Sequence, residues 1–372
     1  MDARLRSELP KEATTLPARY YIDPDHYRRE FDRVFGRMWF CAGHADEISE
    51  VGDHVLREIG DESVIVARSA EGRINAFYNV CRHRGTRICE GPGHSHQLQC
   101  PYHAWTYDLD GRLVAAPHFE EGERFRKADF GLKPVACDVW DGLIFLNLSG
   151  PHESLADQLG DLPAKFAPWR MGELRRGARV VYDVAANWKL LIQNYSECLH
   201  CPVIHPALAK VSHYLSGVNE PGGGDSTYLG GRMDLRDGVA TMSMTGEARR
   251  GNLPGLDADA CRHVSYYAVL PNLLLSLHPD YVMTHVLWPR SEGRTEVVCE
   301  WHFHPEEMAR PGFDSADAVE FWDLTNRQDW HVSELTQLGL KSRAYSPGPY
   351  SDNEELLHAF DRWIVARDRE GD

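Results

Sequence analysis

The chain of 372 residues has no apolar run approaching the ~20 residues that span a bilayer, and no internal repeat. Nor does it carry an excess of basic charge. Its 40 Lys and Arg are outnumbered by 56 Asp and Glu, a formal net charge of −16. Nucleic acid and anionic membrane surfaces both demand a basic face, so neither is expected as a partner. There is no cysteine framework either. Nine cysteines, odd in number and scattered, do not read as a disulfide scaffold. A reducing cytoplasm fits better, with some thiols as metal ligands and the rest as small buried side chains. The start, MDARLRSELPKEATT, lacks an apolar h-region, and no secretory signal is expected from it. Aromatic residues, at 10%, are not enriched. What remains is an ordinary globular composition, long enough for two domains.

Apolar positions at helical spacing over 18–40 (Tyr27, Phe31, Val34, Phe35, Met38) predict an N-terminal helical segment. From about 41 to 150 the pattern changes to short strands with Gly and Asp-Gly turns. SVIVAR (63–68), INAFYNV (74–80) and GLIFLNL (142–148) are the clearest, and TYDLDGRLV (106–114) is a hairpin turning at Asp110-Gly111. A linker and short helix follow at 149–163. Beyond them, strands are expected at 178–188, 263–289 and 295–305, with helices at 189–201 and 315–340. The Gly-rich stretch at 222–238 lacks the strand–turn–helix setting of a phosphate loop. The predicted class is α+β: a small all-β domain at 41–150, then a larger domain at 151–372 with an antiparallel sheet flanked by helices. The segment 1–40 is expected to pack on the larger domain.

CRHRG (81–85) and CPYHAW (100–105) each pair a Cys with a His. Cys81, His83, Cys100 and His103 form a four-donor set for which two metals compete. Structural zinc takes Cys2His2 as a cysteine half and a histidine half. Here each half is mixed, which suits a 2Fe–2S centre with both Cys on one iron and both His on the other. Two parallel loops would place them so. His94 and His96, between the halves, read as a solvated loop.

CRHRG…CPYHAWTYDLDG resembles the Rieske domain of the Rieske non-haem iron oxygenases. Ala104-Trp105 stands where respiratory Rieske proteins carry Gly-Ser. Fewer hydrogen bonds to the cluster sulfurs imply a lower potential, suited to feeding oxygen chemistry.

A second metal is expected downstream. NWKLLIQNYSECLHCPVIHPAL (187–208) contains His200 and His205, and two imidazoles with one carboxylate make the facial triad of non-haem Fe(II) oxygenases. Glu197 and His200, three apart, are expected on one helix face. Pro202 cannot continue a regular helix, so the chain is expected to turn there and swing His205 back. Cys198 and Cys201 are expected as packing residues. The third ligand should lie on the 315–340 helix, where Asp323 and Asp329 compete. Asp329 falls about 20° from apolar Trp322, whereas Asp323 lies about 120° away from Asp329. A carboxylate beside an apolar stripe is costly unless paired or metal-bound, which selects Asp329 over Asp323, with an ordinary salt bridge as the alternative role for Asp329.

The 187–208 stretch resembles the same family's iron motif. That resemblance implies that Glu197 is not a ligand but a bridge, linking His200 of one subunit to His103 of the next in a homotrimer. The same segment contributes Asn194 as a catalytic candidate. The 315–350 region resembles the glycine betaine and choline-type members more than the two-subunit arene dioxygenases. The implied function is a terminal oxygenase, which hydroxylates a small organic substrate with O2 and N-demethylates a quaternary ammonium or betaine compound. Its electrons come from NAD(P)H through a flavin-containing reductase, with or without a ferredoxin. The expected cofactors are the 2Fe–2S cluster and Fe(II). An aromatic cage would hold such a cation. Tyr195, Tyr214, Tyr266, Tyr267, Tyr281 and Trp288 are the nearby aromatics, and Ser276, His278 and His285 the polar candidates for the pocket. The alternatives are a ring-hydroxylating dioxygenase acting on an aromatic acid, a Rieske electron carrier without oxygenase activity, and a zinc-stabilised binding protein.

Overall fold

Short apolar-rich segments, broken by Gly and Asp turns, produce three antiparallel sheets divided between two units. The structure is a computed structural model and describes residues 9–150, 153–220 and 226–369. The smaller unit is Phe35–Leu155, and the larger is built from the chain on both sides of it. Part of the predicted 149–163 linker and of the Gly-rich stretch lies outside the described residues. Among the described residues, no helix is long and apolar enough to cross a membrane.

The smaller unit is all β apart from short 3-10 turns. Its strands are β1 (Phe40–His44), β2 (Asp53–Ile59), β3 (Glu62–Arg68), β4 (Ile74–Tyr78), β5 (Gly93–His94), β6 (Gln97–Gln99), β7 (Thr106–Asp108), β8 (Leu113–Ala115), β9 (Pro134–Trp140) and β10 (Leu143–Asn147). They form a seven-stranded sheet in the order β1-β10-β9-β4-β3-β2-β5 and a three-stranded sheet β6-β7-β8. The β7–β8 hairpin turns at Gly111, whose φ of +81° only glycine adopts freely.

Among the described residues, the larger unit holds one antiparallel sheet. Its strands are β11 (Arg175–Val184), β12 (Val218–Glu220), β13 (Tyr228–Asp234), β14 (His263–Val269), β15 (Leu273–Leu277), β16 (Val282–Ser291) and β17 (Arg294–Phe303), in the order β11-β17-β16-β15-β14-β13-β12. The 25-residue helix Ala316–Leu340 buries Ala318, Phe321, Trp322, Asn326 and Trp330. Asn326 bonds His285 of β16, so this helix covers the face of the sheet that carries His285. The architecture is α+β, with the sheet and flanking helices that the patterning predicts.

Three local expectations are corrected. The N-terminal helix is broken. Pro24 starts a new helix, Pro24–Glu30, after a single turn at Arg19–Ile22, because proline fits the first turn of a helix but not its interior. The predicted helix 189–201 ends at Tyr195, where Ser196 caps it. Glu197 and His200 therefore lie in an irregular turn and not on a helix face. Pro202, expected to force a turn, instead opens the short helix Cys201–Ile204.

Candidate active site

Cys81 lies just beyond β4 and Cys100 just beyond β6. Each loop reverses onto its own cysteine. The Gly85 N–H donates to the Cys81 carbonyl at 3.0 Å, and the Ala104 N–H to the Cys100 carbonyl at 3.1 Å. Both reversal residues have positive φ, +78° at Gly85 and +58° at Ala104. That conformation is free for glycine and costs an alanine about 1 kcal/mol. The matched loops sort their side chains. The two thiols sink into the core of the unit, 3% and 2% exposed, beside Ile65, Trp105 and Tyr107. The two imidazoles stay outside them, with ring centroids 4.7 Å apart. His83 stacks on Trp105 at 4.9 Å, and its Nδ1 is buried without a hydrogen-bond partner. Paired sulfurs within, paired imidazoles without and an unsatisfied ring nitrogen fit a Rieske cluster. His94 and His96 are exposed, and His94 pairs with Asp53 at 2.8 Å.

Tyr107 adds what sequence reasoning missed. Its hydroxyl lies 3.4 Å from Cys81 Sγ and accepts the Arg82 N–H at 3.0 Å. A hydrogen bond to a ligand sulfur stabilises the reduced cluster. Tyr107→Phe should therefore lower its potential. A bond to a charged group is worth ~1.5 kcal/mol or more, and a tenfold change in a one-electron equilibrium is 59 mV, so the expected fall is about 60 mV. Voltammetry checks this, and an unchanged potential would remove Tyr107 from the cluster's hydrogen bonding.

The second set of donors is assembled by the turn after Tyr195 and by the long helix. His205 Nε2 lies 2.8 Å from Asp329 Oδ1, and His200 Nε2 lies 3.4 Å from the same oxygen. The opposite ring nitrogens are also engaged. His200 Nδ1 bonds Glu197 Oε1, and His205 Nδ1 bonds Gln328 Oε1 at 2.8 Å. The Leu199 N–H also donates to Glu197. Burial alone would lower the His200 imidazole, but hydrogen bonds to Asp329 and Glu197, with their charges, push it up to about 9. Burial would likewise raise the Asp329 carboxyl, yet the two imidazoles hold it below its usual value. The centre favours positive charge, which a divalent cation supplies with the oxygen and nitrogen donors Fe(II) prefers. Asp323, the rival acid, is occupied elsewhere, accepting from the Tyr182 hydroxyl at 2.8 Å and from Arg327 at 2.9 Å. Cys198 and Cys201, expected as packing residues, are joined as a disulfide. This ties up the Cys201 sulfur, which lies 3.8 Å from His200 Nε2.

These donors line a cavity of about 170 Å³. Asn194, Tyr195, Glu197 and Tyr214 line it as well. Ser276, His278 and His285 do not. Ser276 is covered by Tyr195, whose hydroxyl lies 2.8 Å away. His285 bonds Asn326 under the long helix at 3.2 Å. His278 stacks on Tyr281 at 4.0 Å, and all three are at most 2% exposed. The pocket expectation is corrected at these positions: they sit behind the wall. Tyr266 lines the cavity, and Trp322 joins it, an aromatic that sequence reasoning assigned only to the helix core. Tyr195 and Tyr266 stand edge to face at 6.1 Å, as do Tyr266 and Trp322 at 6.3 Å. Tyr267, Tyr281 and Trp288 are not in the wall; Tyr267, for example, donates to Glu220.

Comparison with known proteins places both parts of the chain in known domain families. Residues 38–133 match the Rieske [2Fe-2S] domain, and 171–369 the ring hydroxylating alpha subunit (catalytic domain). A glycine betaine monooxygenase oxygenase subunit of Pseudomonas aeruginosa is 33% identical, over 92% of this chain and 86% of its own. A carnitine monooxygenase oxygenase subunit of Escherichia coli is 32% identical, over 90% and 87%. The solved structure of the quaternary ammonium Rieske monooxygenase CntA with L-carnitine shares the fold, with a TM-score of 0.79 at 22% identity, covering 98% of this chain and 100% of that one. The chain belongs to the Rieske non-haem iron oxygenases, oxidoreductases whose alpha components carry a Rieske cluster and a mononuclear iron that works with O2.

Proposed function

We propose that this chain hydroxylates an N-methyl group, or the carbon beside it, of a small quaternary ammonium compound. The observation that carries this reading is the wall of Tyr195, Tyr266 and Trp322, which shares one cavity with His200, His205 and Asp329. Ring faces attract a cation that cannot donate a hydrogen bond. The carboxylates of Glu197 and Asp329 add negative charge to the same space. The relatives named for glycine betaine and carnitine support the same substrate class. The Tyr195 ring is fixed by its hydroxyl, which donates to the Leu275 carbonyl at 2.9 Å, so the wall is preorganised. Iron at His200, His205 and Asp329 supplies O2 activation when bound. The residues around it orient the methyl group toward that point. N-methyl hydroxylation gives a hemiaminal, which collapses to an amine and formaldehyde.

We further propose that the cluster is held by Cys81, His83, Cys100 and His103, and that the active form is a homotrimer. There Glu197 links His200 to His103 of the partner subunit, which makes His103 the exit for electrons. A flavin-containing reductase, with or without a ferredoxin, delivers them from NAD(P)H, which places the system in the cytoplasm. The test is a substrate panel with a surrogate reductase, comparing choline, glycine betaine and carnitine with aromatic acids. Formaldehyde release or a hydroxylated product from an ammonium compound is expected. Turnover of the aromatic acids alone would favour ring hydroxylation instead.

A further inference from the structure

We propose that Gln328 is a positioning residue for the mononuclear iron, acting through His205. This rests on the reading of His200, His205 and Asp329 as the iron ligands. Gln328 and Asp329 are consecutive on the helix Ala316–Leu340, and both reach the one buried imidazole of His205. Gln328 Oε1 lies 2.8 Å from Nδ1, and Asp329 Oδ1 lies 2.8 Å from Nε2. A neutral imidazole has two tautomers, and only one of them offers its lone pair at Nε2. An amide oxygen accepts and does not donate. By holding the proton on Nδ1, Gln328 leaves the lone pair on Nε2, where Asp329 and His200 converge. It also fixes the ring plane, because a buried imidazole bonded at both nitrogens has no freedom to turn.

The other imidazole makes the case by contrast. His200 has its Nδ1 bonded to a carboxylate, Glu197. A second carboxylate at His205 would put three acids around one divalent ion. An amide orients the ring and adds no charge. Such outer partners fix the tautomer of metal-bound histidine and raise affinity for the metal.

The experiment uses the full chain with its cluster in place, after a mild chelator has removed the mononuclear iron. Ferrous iron is titrated back, and cluster absorbance and melting temperature are recorded alongside. Gln328→Met keeps the length of the side chain and removes the acceptor. Its Fe(II) affinity should fall roughly 10–100-fold, with cluster absorbance and melting temperature of the iron-stripped protein unchanged. Gln328→Glu keeps acceptors only and should bind iron within about threefold of the parent. Parental affinity in Gln328→Met, or a folded Gln328→Glu that binds as weakly as Gln328→Met, would overturn the proposal. If Gln328→Met does not fold, Gln328→Asn, which withdraws the amide by one methylene, carries the same expectation. His205→Ala separates the two readings. It should abolish Fe(II) binding, and if it does not, the ligand assignment fails rather than the role of Gln328.

Discussion

Asp329→Ala is expected to abolish product formation and leave the Rieske spectrum intact. The loss should exceed the ~10–100-fold that follows removal of an outer-shell partner, because here a metal donor itself is gone. Asp329 Oδ1 is the atom that both imidazoles approach, at 2.8 and 3.4 Å. Without it His200 and His205 lose the charge that draws a cation to them. The iron count should drop from about three per chain to about two, from the two-iron cluster and the single-iron triad. The proposed cluster ligands belong to the other unit of the chain, so cluster absorbance reports the integrity of that unit independently of Asp329. Turnover with a full iron complement would mean that another acid serves. Asp323 is the nearest rival in sequence, and it is already held by Tyr182 and Arg327. The same metal analysis on the parent separates the alternatives: two irons would indicate an electron carrier, and none a zinc protein.

Glu197→Ala should produce a different defect. With Fe(II) supplied in excess to offset a weaker site, both metals are present, the cluster still reduces chemically, and its reoxidation by O2 in the presence of substrate slows by roughly 10–100-fold. Glu197 touches His200 through Nδ1, on the side away from the point where Nε2 meets Asp329. Its loss therefore spares the donor atoms and removes the proposed link that leads outward from them. Glu197→Gln retains a hydrogen-bond acceptor and should be the milder variant. Stopped-flow reoxidation of the reduced cluster measures this directly. Normal rates in Glu197→Ala would sink the bridging role, whereas loss of iron would turn Glu197 into a support for the ligand.

The two variants also separate the contributions of sequence and structure. Residue types at short spacing were enough to propose both metal centres. Cys81 with His83, Cys100 with His103, and His200 with His205 are each bound by a few residues of loop. A short loop cannot carry its donors far apart, so pattern predicts proximity. The long helix was also legible, and its wheel separated Asp329 from Asp323 because each has a fixed angle on a regular helix. Strands over 263–303 followed from runs of apolar and β-branched residues.

Other features depended on contacts between segments far apart in the chain. The helix expected over 189–201 stops at Tyr195, and Glu197 meets His200 through an irregular turn that no periodicity describes. Ser276, His278 and His285 share a strand pair with the right chemistry, but Tyr195 and the long helix cover them. Trp322 and Gln328 gave no signal, since a core tryptophan and a helical glutamine are ordinary in any sequence. Sequence by itself determined the metals and the chemistry, because ligands are chosen by type and local spacing. Tertiary structure decided the wall of the pocket and the support of the ligands. A side chain's role there depends on strand register and helix packing, and a shift of one residue would turn it to the opposite face.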